Sequence, residues 1–235
     1  MKLLVLTDFH YAGLGQRSPI SSRRGDLTLD LIERVRNREE NPDAVLCLGD
    51  VIDNGRGETA EHDWEDIRQA LLGFGVPLVA IPGNHDRIPS RFADVFGEPK
   101  AITVTDASGF TARIIPFADS YDERDVCTRD FERMEREFAA VRPDEAVIIC
   151  QHNTILPEIQ SEYPYTPVRY REIADLYAQN KVRLSLSGHF HRGIEAFSDK
   201  GVLYACIPAL CEAPFGYAVV EPDREKPLVE WKTLE

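Results

Sequence analysis

The sequence has no window approaching the roughly eighteen consecutive apolar residues of a membrane span. It also has no CxxC pair, no internal repeat, no low-complexity tract and no linker-like shift in composition. Each absence removes a class of protein. Without an apolar window no transmembrane anchor is expected. The opening MKLLVLTDFH offers only LLVL, with no small-residue cleavage site behind it, so it reads as a first strand and not as a secretion signal. The expectation is a soluble, cytoplasmic chain. The five cysteines (Cys47, Cys127, Cys150, Cys206, Cys211) are odd in number and mostly lie inside apolar runs. That pattern predicts buried reduced thiols, against disulfides or thiolate metal sites. Basic residues are also in short supply: 27 Lys and Arg face 40 Asp and Glu, a formal net charge of −13. Such a field repels polyphosphate backbones and anionic membranes, so neither long nucleic acid nor a membrane is an expected partner. No feature of the chain specifies an oligomeric state.

A length of 235 residues with 43% hydrophobic content is enough for one large core, and a single domain over residues 1–235 is expected. Apolar runs alternate with amphipathic segments: KLLVLTD then LTLDLIERVRN, AVLCLGD then HDWEDIRQALLGF, PLVAIPGNHD, and later DFERMEREFAAV, AVIICQHN, VRYREIADLYAQN and VRLSLSGHFH. AVLCL, PLVAI and AVIIC are too uniformly apolar to have a wet face, as strands covered on both sides would be. AITVT, TARIIPF, VLYACIP, FGYAVVE and LVEWKTL, separated by turn signals, read as neighbouring strands on short connections. A mixed sheet, or two packed sheets, with helices outside is the expected α/β architecture.

Polar residues collect at the carboxyl ends of the buried runs, the edge where open α/β sheets place their sites. Asp8 and His10 end the first run, Asp50 and Asp53 follow AVLCLG, and Asn84, His85 and Asp86 follow PLVAIPG. His152 follows AVIICQ, and His189 and His191 end VRLSLSG. Of six histidines only His62 lies outside this set. Residues i and i+2 on an extended segment project to one side, so Asp8 with His10, and His189 with His191, can each turn two donors to one centre. Carboxylate, imidazole and amide donors without cysteine suit manganese, iron, zinc or cobalt in a catalytic setting. A buried polar network without metal would place Asp8, Asp50 and Asp53 together at severe cost in repulsion and desolvation.

With DFH at 8–10, GDVID at 49–53, GNHD at 83–86, QH at 151–152 and GHFH at 188–191, the chain resembles the calcineurin-like metallophosphoesterases. Among these it is most similar to the small phosphodiesterases, including the class III cyclic-nucleotide type. The resemblance implies a four-layer α/β/β/α sandwich of two mixed sheets flanked by helices. It implies two divalent or trivalent transition-metal ions, with manganese or iron favoured over zinc or cobalt. One ion would be held by Asp8, His10 and His191 and the other by Asn84, His152 and His189, with Asp50 bridging. It also implies a phosphoester substrate, attacked in line by a hydroxide formed from a water between the ions. His85 is then the proton donor to the leaving oxygen, with Asp53 orienting its imidazole, and Asp86 secures the turn. A small diester, with nucleotides among the candidates, is the expected substrate. A phosphomonoesterase, or a non-catalytic interaction module that keeps the scaffold, are the alternatives. The module should have lost a ligand, and every motif position is filled.

Two loops could face a substrate. YAGLGQRSPISSRRGD at 11–26 carries Arg17, Arg23 and Arg24, candidates for a nonbridging or second phosphate, against a reading as solvated surface arginines. NTILPEIQSEYPYTPVRY at 153–170 offers Tyr163, Tyr165 and Tyr170 as possible stacking faces, against simple loop packing. ACIPALCEAPFGYAVV at 205–220 reads as strand, loop and strand; its loop could reach the site from the sheet edge, and no catalytic role is assigned to it.

Overall fold

A computed structural model describes residues 1–19, 25–159, 165–223 and 225–235. In chain order the elements are β1 (Leu3–Leu6), α1 (Gly25–Arg38), β2 (Ala44–Cys47), α2 (Ala60–Leu72), β3 (Leu78–Ala80) and α3 (Pro89–Phe96). They continue through β4 (Ile102–Thr105), β5 (Thr111–Phe117), β6 (Ser120–Tyr121), β7 (Cys127–Thr128), α4 (Phe131–Ala139), β8 (Ala146–Gln151) and α5 (Tyr170–Gln179). The last are β9 (Leu184–Ser187), β10 (Ile194–Asp199), β11 (Val202–Cys206), β12 (Gly216–Glu221) and β13 (Leu228–Thr233).

Two mixed sheets result. One has the order β13-β12-β1-β2-β3 and the other β10-β11-β9-β8-β5-β4. In the first, β1, β2 and β3 run parallel with β3 at one edge, and the antiparallel β12 and β13 extend the other side. In the second, β5, β8, β9 and β11 run parallel in the middle, and the antiparallel β4 and β10 close the edges. The alternation inside the apolar runs explains the layering. Leu3 and Val5 of β1 join Ala112, Ile114, Ile148 and Leu186 between the sheets. Leu4 and Leu6 point the other way, onto α1, α2 and α3 through Leu31, Ile32, Trp64, Ile67 and Phe92. On the far face Ile115, Val147 and Ile149 pack on Met134 and Phe138 of α4 and on Ile173 and Tyr177 of α5. The four layers are therefore helix, sheet, sheet, helix. Both faces of β1 are fully covered, and each buried leucine or valine there contributes on the order of 2 kcal/mol.

Helix α1 shows how local sequence meets this frame: Gly25, Thr28, Leu31, Ile32 and Val35 are its buried residues, spaced as one face of a 3.6-residue repeat. Among the described residues no helix is long and apolar enough to cross a membrane. All five cysteines are buried and none forms a disulfide.

Candidate metal centre

The parallel strands of both sheets end on one side, and the loops leaving them are tied to each other. Asp8 N donates to Gly49 O at 3.0 Å, and Phe9 N and His10 N both donate to Asp50 O, at 2.9 and 3.0 Å. Gly188 N donates to His152 O at 3.0 Å. The sequence reading placed Asp8 with His10, and His189 with His191, on extended backbone. The structure corrects that geometry. β1 ends at Leu6, and Asp8, His10, Asp50 and His189 have left-handed φ of 52°, 44°, 49° and 69°. Convergence comes from tight turns, at a backbone cost of about 1–3 kcal/mol each, that the inter-loop hydrogen bonds sustain. The motif glycines serve close approach: a Cβ on Gly83 would lie 2.2 Å from Asp50 Oδ1, and one on Gly188 would lie 2.0 Å from Thr7 Oγ1.

Three imidazoles are anchored outward at Nδ1 and point inward at Nε2. His10 Nδ1 faces Asp53 Oδ1 at 3.1 Å, His152 Nδ1 faces Leu48 O at 2.7 Å, and His191 Nδ1 faces Glu212 Oε1 at 2.8 Å. Each acceptor fixes the Nδ1–H tautomer and leaves an Nε2 lone pair for the centre. His10 Nε2 and His191 Nε2 lie 3.2 Å apart, and Asp50 Oδ2 lies 3.6 Å from His10 Nε2 and 3.2 Å from His152 Nε2. Asn84 Oδ1 is 3.2 Å from His152 Nε2. His189 stands beside His152, with ring centroids 4.9 Å apart. Asp8 turns Oδ2 to Thr7 Oγ1 and to His189 N, at 2.6 and 3.0 Å. Its Oδ1, fully buried, has no hydrogen-bond partner and lies 3.6 Å from His191 Nε2. Converging lone pairs and an orphaned carboxylate oxygen require positive charge among them, so this donor set fits metal ions.

Without a cation among these donors, a protonated imidazole supplies the positive charge, and a metal would displace that proton from Nε2. Burial alone would raise the Asp50 carboxyl, but the imidazoles of His152, His10 and His85 hold it well below the usual carboxylate range. His152 is pushed up to about 10 by Asp50 against the effect of burial. His189 is pushed down to about 4 by burial and by the charge on His152, so its imidazole is neutral and available to a metal near pH 7.

His85 and Asp53 do not meet as the sequence reading had them. The Asp53 carboxylate turns to His10, while its backbone carbonyl receives His85 Nδ1 at 2.9 Å. The cause is backbone pairing: Gly55 N donates to His85 O at 2.9 Å, which lays the 53–55 main chain alongside His85. Asp86 secures the turn, accepting from Trp64 Nε1 and Gly83 N at 2.8 Å and from Val51 N at 3.2 Å.

Arg17 is exposed on the segment after β1. Arg23, Arg24 and Tyr163 lie outside the described residues. Of the other two tyrosines, Tyr165 is 58% exposed with its ring 5.8 Å from that of His189, whereas Tyr170 begins α5 and packs on the outer core.

Glu212 was missed altogether. Its sequence context, CEAPFG, carries no ligand spacing, and its role is visible only once the loop folds against His191. Glu212→Ala is expected to weaken metal binding by roughly 10- to 100-fold, the usual effect of losing a carboxylate behind a ligating histidine. Metal titration checks this, and an unchanged affinity would reduce Glu212 to a surface ion pair.

Residues 1–193 match the family model of calcineurin-like phosphoesterases. The chain is similar to a probable cyclic nucleotide phosphodiesterase of Rhodopseudomonas palustris, 28% identical over 174 residues, which is 65% of this chain and 57% of that protein. It is also similar to a probable glycerophosphodiester phosphodiesterase of Arcobacter nitrofigilis, 27% identical over 175 residues, 68% of this chain and 61% of that one. The matches span 19% to 65% of the length of these and the other curated relatives. A dimetal phosphatase from Danio rerio has the same fold, with a TM-score of 0.77, 14% identity, and coverage of 99% of this chain and 96% of that one.

Proposed function

Because the chain belongs to the calcineurin-like phosphoesterase family, we propose that this centre is a two-metal site and that the protein hydrolyses small phosphodiesters. The observation that carries the reading is a set of three Nε2 atoms, each fixed by an Nδ1 acceptor: those of His10 and His152 flank Asp50 Oδ2, and that of His191 meets His10 Nε2 and Asp8 Oδ1. Asp8, His10 and His191 would hold one ion, Asn84, His152 and His189 the other, and Asp50 would join them. Manganese or iron suits this donor set, with zinc and cobalt as alternatives. Two such ions supply Lewis-acid neutralisation of phosphoryl charge and a water acidic enough to act as nucleophile near neutral pH.

The chain's own residues do the rest. His85, with Nδ1 donating to the Asp53 carbonyl, presents Nε2 to the leaving oxygen, and its imidazolium form would deliver a proton from there as the bond to phosphorus breaks. Asp53 keeps His10 in the ligating tautomer. The names of the two relatives support a diester, and the exposed ring of Tyr165 beside His189 supports a substrate carrying a planar base.

The test is a panel of cyclic nucleotides, glycerophosphodiesters, aryl diesters and aryl monoesters with manganese, iron, zinc and cobalt. Diesters are expected to exceed monoesters in kcat/KM by at least about tenfold, or 1.4 kcal/mol. The reverse order would make the protein a phosphomonoesterase. No turnover of any ester by metal-loaded protein would favour the interaction module.

A further inference from the structure

The loop between β11 and β12 carries residues for which the sequence offered no chemistry, yet it is tied to the loops that carry Asp8 and His191. Ala209 N donates to His191 O at 2.9 Å, Leu210 N to Thr7 O at 3.1 Å, and Cys211 N to Asp8 O at 3.1 Å. Those bonds fix the Cys211 backbone against Asp8. Its Sγ then comes within 4.8 Å of a ring nitrogen of His10 and of His191, which are themselves within that distance of each other. Cys211 is 1% exposed. Independently, the unpartnered Asp8 Oδ1 points at the same His191 Nε2 from 3.6 Å. Among the described residues, Cys47, Cys127, Cys150 and Cys206, also buried, fall in no such group of converging donors.

We propose that Cys211 is a ligand of the ion held by Asp8, His10 and His191, adding one sulfur to an oxygen-and-nitrogen site. The assignment rests on the two-metal reading. As the metal–sulfur bond forms, the thiol proton is released to solvent. A thiolate at this position selects against manganese and in favour of iron, zinc or cobalt there, so the two ions need not be the same element.

The experiment loads the whole protein with cobalt to about two ions per chain and records near-ultraviolet absorption. A sulfur-to-cobalt charge-transfer band is expected in the wild type and in Cys206→Ser, and it should vanish in Cys211→Ser although cobalt stays bound. Zinc affinity at one site should fall by at least about tenfold in Cys211→Ser, while manganese affinity changes by less than about threefold. X-ray absorption of the zinc-loaded wild type, which needs no variant to fold, should show a sulfur neighbour at about 2.3 Å. Two cobalt ions with no band and no sulfur neighbour would overturn the assignment and leave the two-metal reading intact. A band that persists in Cys211→Ser would overturn it as well. A wild type that binds no cobalt at saturating concentration would overturn both.

Discussion

Replacing Asp50 by alanine is expected to lower the metal content from about two ions per chain to well below one and to reduce turnover by more than about 10⁴-fold. The size of the effect follows from the place of one oxygen. Asp50 Oδ2 lies between His10 Nε2 and His152 Nε2, at 3.6 and 3.2 Å, and so belongs to both halves of the centre. Its Oδ1 accepts from His85 N at 2.8 Å, which ties the bridge to the loop carrying Asn84 and His85. Removing any other ligand leaves one half complete; removing Asp50 opens both. Asp50→Asn should fall between the wild type and alanine, since the amide keeps the shape and one acceptor but loses the charge that the buried imidazoles require. Chelation of the wild type should reproduce the loss of activity. It should also lower Tm by roughly 10–20 °C, because each of two ions at about a hundred times its Kd stabilises the native state by about 2.7 kcal/mol. Full metal occupancy in the alanine variant, or activity surviving thorough chelation, would contradict the bridging role.

The layers of the fold were legible because strands covered on both faces have no polar alternation to hide them: LLVL, AVLC and AVIICQ could hardly be anything else. Helix α3 was not legible. It has eight residues beginning at Pro89, and its apolar stripe of Phe92, Val95 and Phe96 spans little more than one turn, too short for a periodic pattern to stand out. The site was legible as a set of residues but not as geometry. Asp8 and His10 converge through left-handed backbone that alternation along a strand does not describe. The direction of the Asp53 carboxylate depends on how two loops pair, not on the spacing within GDVID. Cys211 and Glu212 lie furthest from sequence reasoning. They sit on a crossover between the two sheets, and only the assembled sandwich brings that crossover over the end of β1. The charge of −13 says nothing of this, since it averages over the surface and the centre is buried.

His85→Asn is expected to keep both ions and to lose roughly 10² to 10⁴ in turnover on a diester with an alkoxide leaving group. Three hydrogen bonds hold the residue: its N–H on Asp50 Oδ1 at 2.8 Å, its Nδ1 on the Asp53 carbonyl at 2.9 Å, and Gly55 N on its carbonyl at 2.9 Å. The ring stands edge-on to His10, with centroids 4.8 Å apart, and is only half-buried. Because the carbonyl can only accept, Nδ1 carries a proton in either charge state, and Nε2 is the nitrogen left to meet a substrate. A ring nitrogen of His85 also falls within 4.8 Å of donors from His10 and Asp50, so proximity alone does not distinguish a proton donor from a ligand. The leaving group does. An alkoxide needs a proton as its bond to phosphorus breaks, and without Nε2–H that charge must be discharged to water. A p-nitrophenolate is stable unprotonated, so the same variant should lose much less on the p-nitrophenyl diester. Three measurements on one variant decide the matter: metal content, turnover of the alkyl diester, and turnover of the p-nitrophenyl diester. Loss of one ion would make His85 a ligand. Equal losses on both substrates with the metals retained would make it a positioning residue for the phosphoryl group. Only a large loss on the alkyl diester, a small one on the aryl diester and full metal content fit a proton delivered from Nε2.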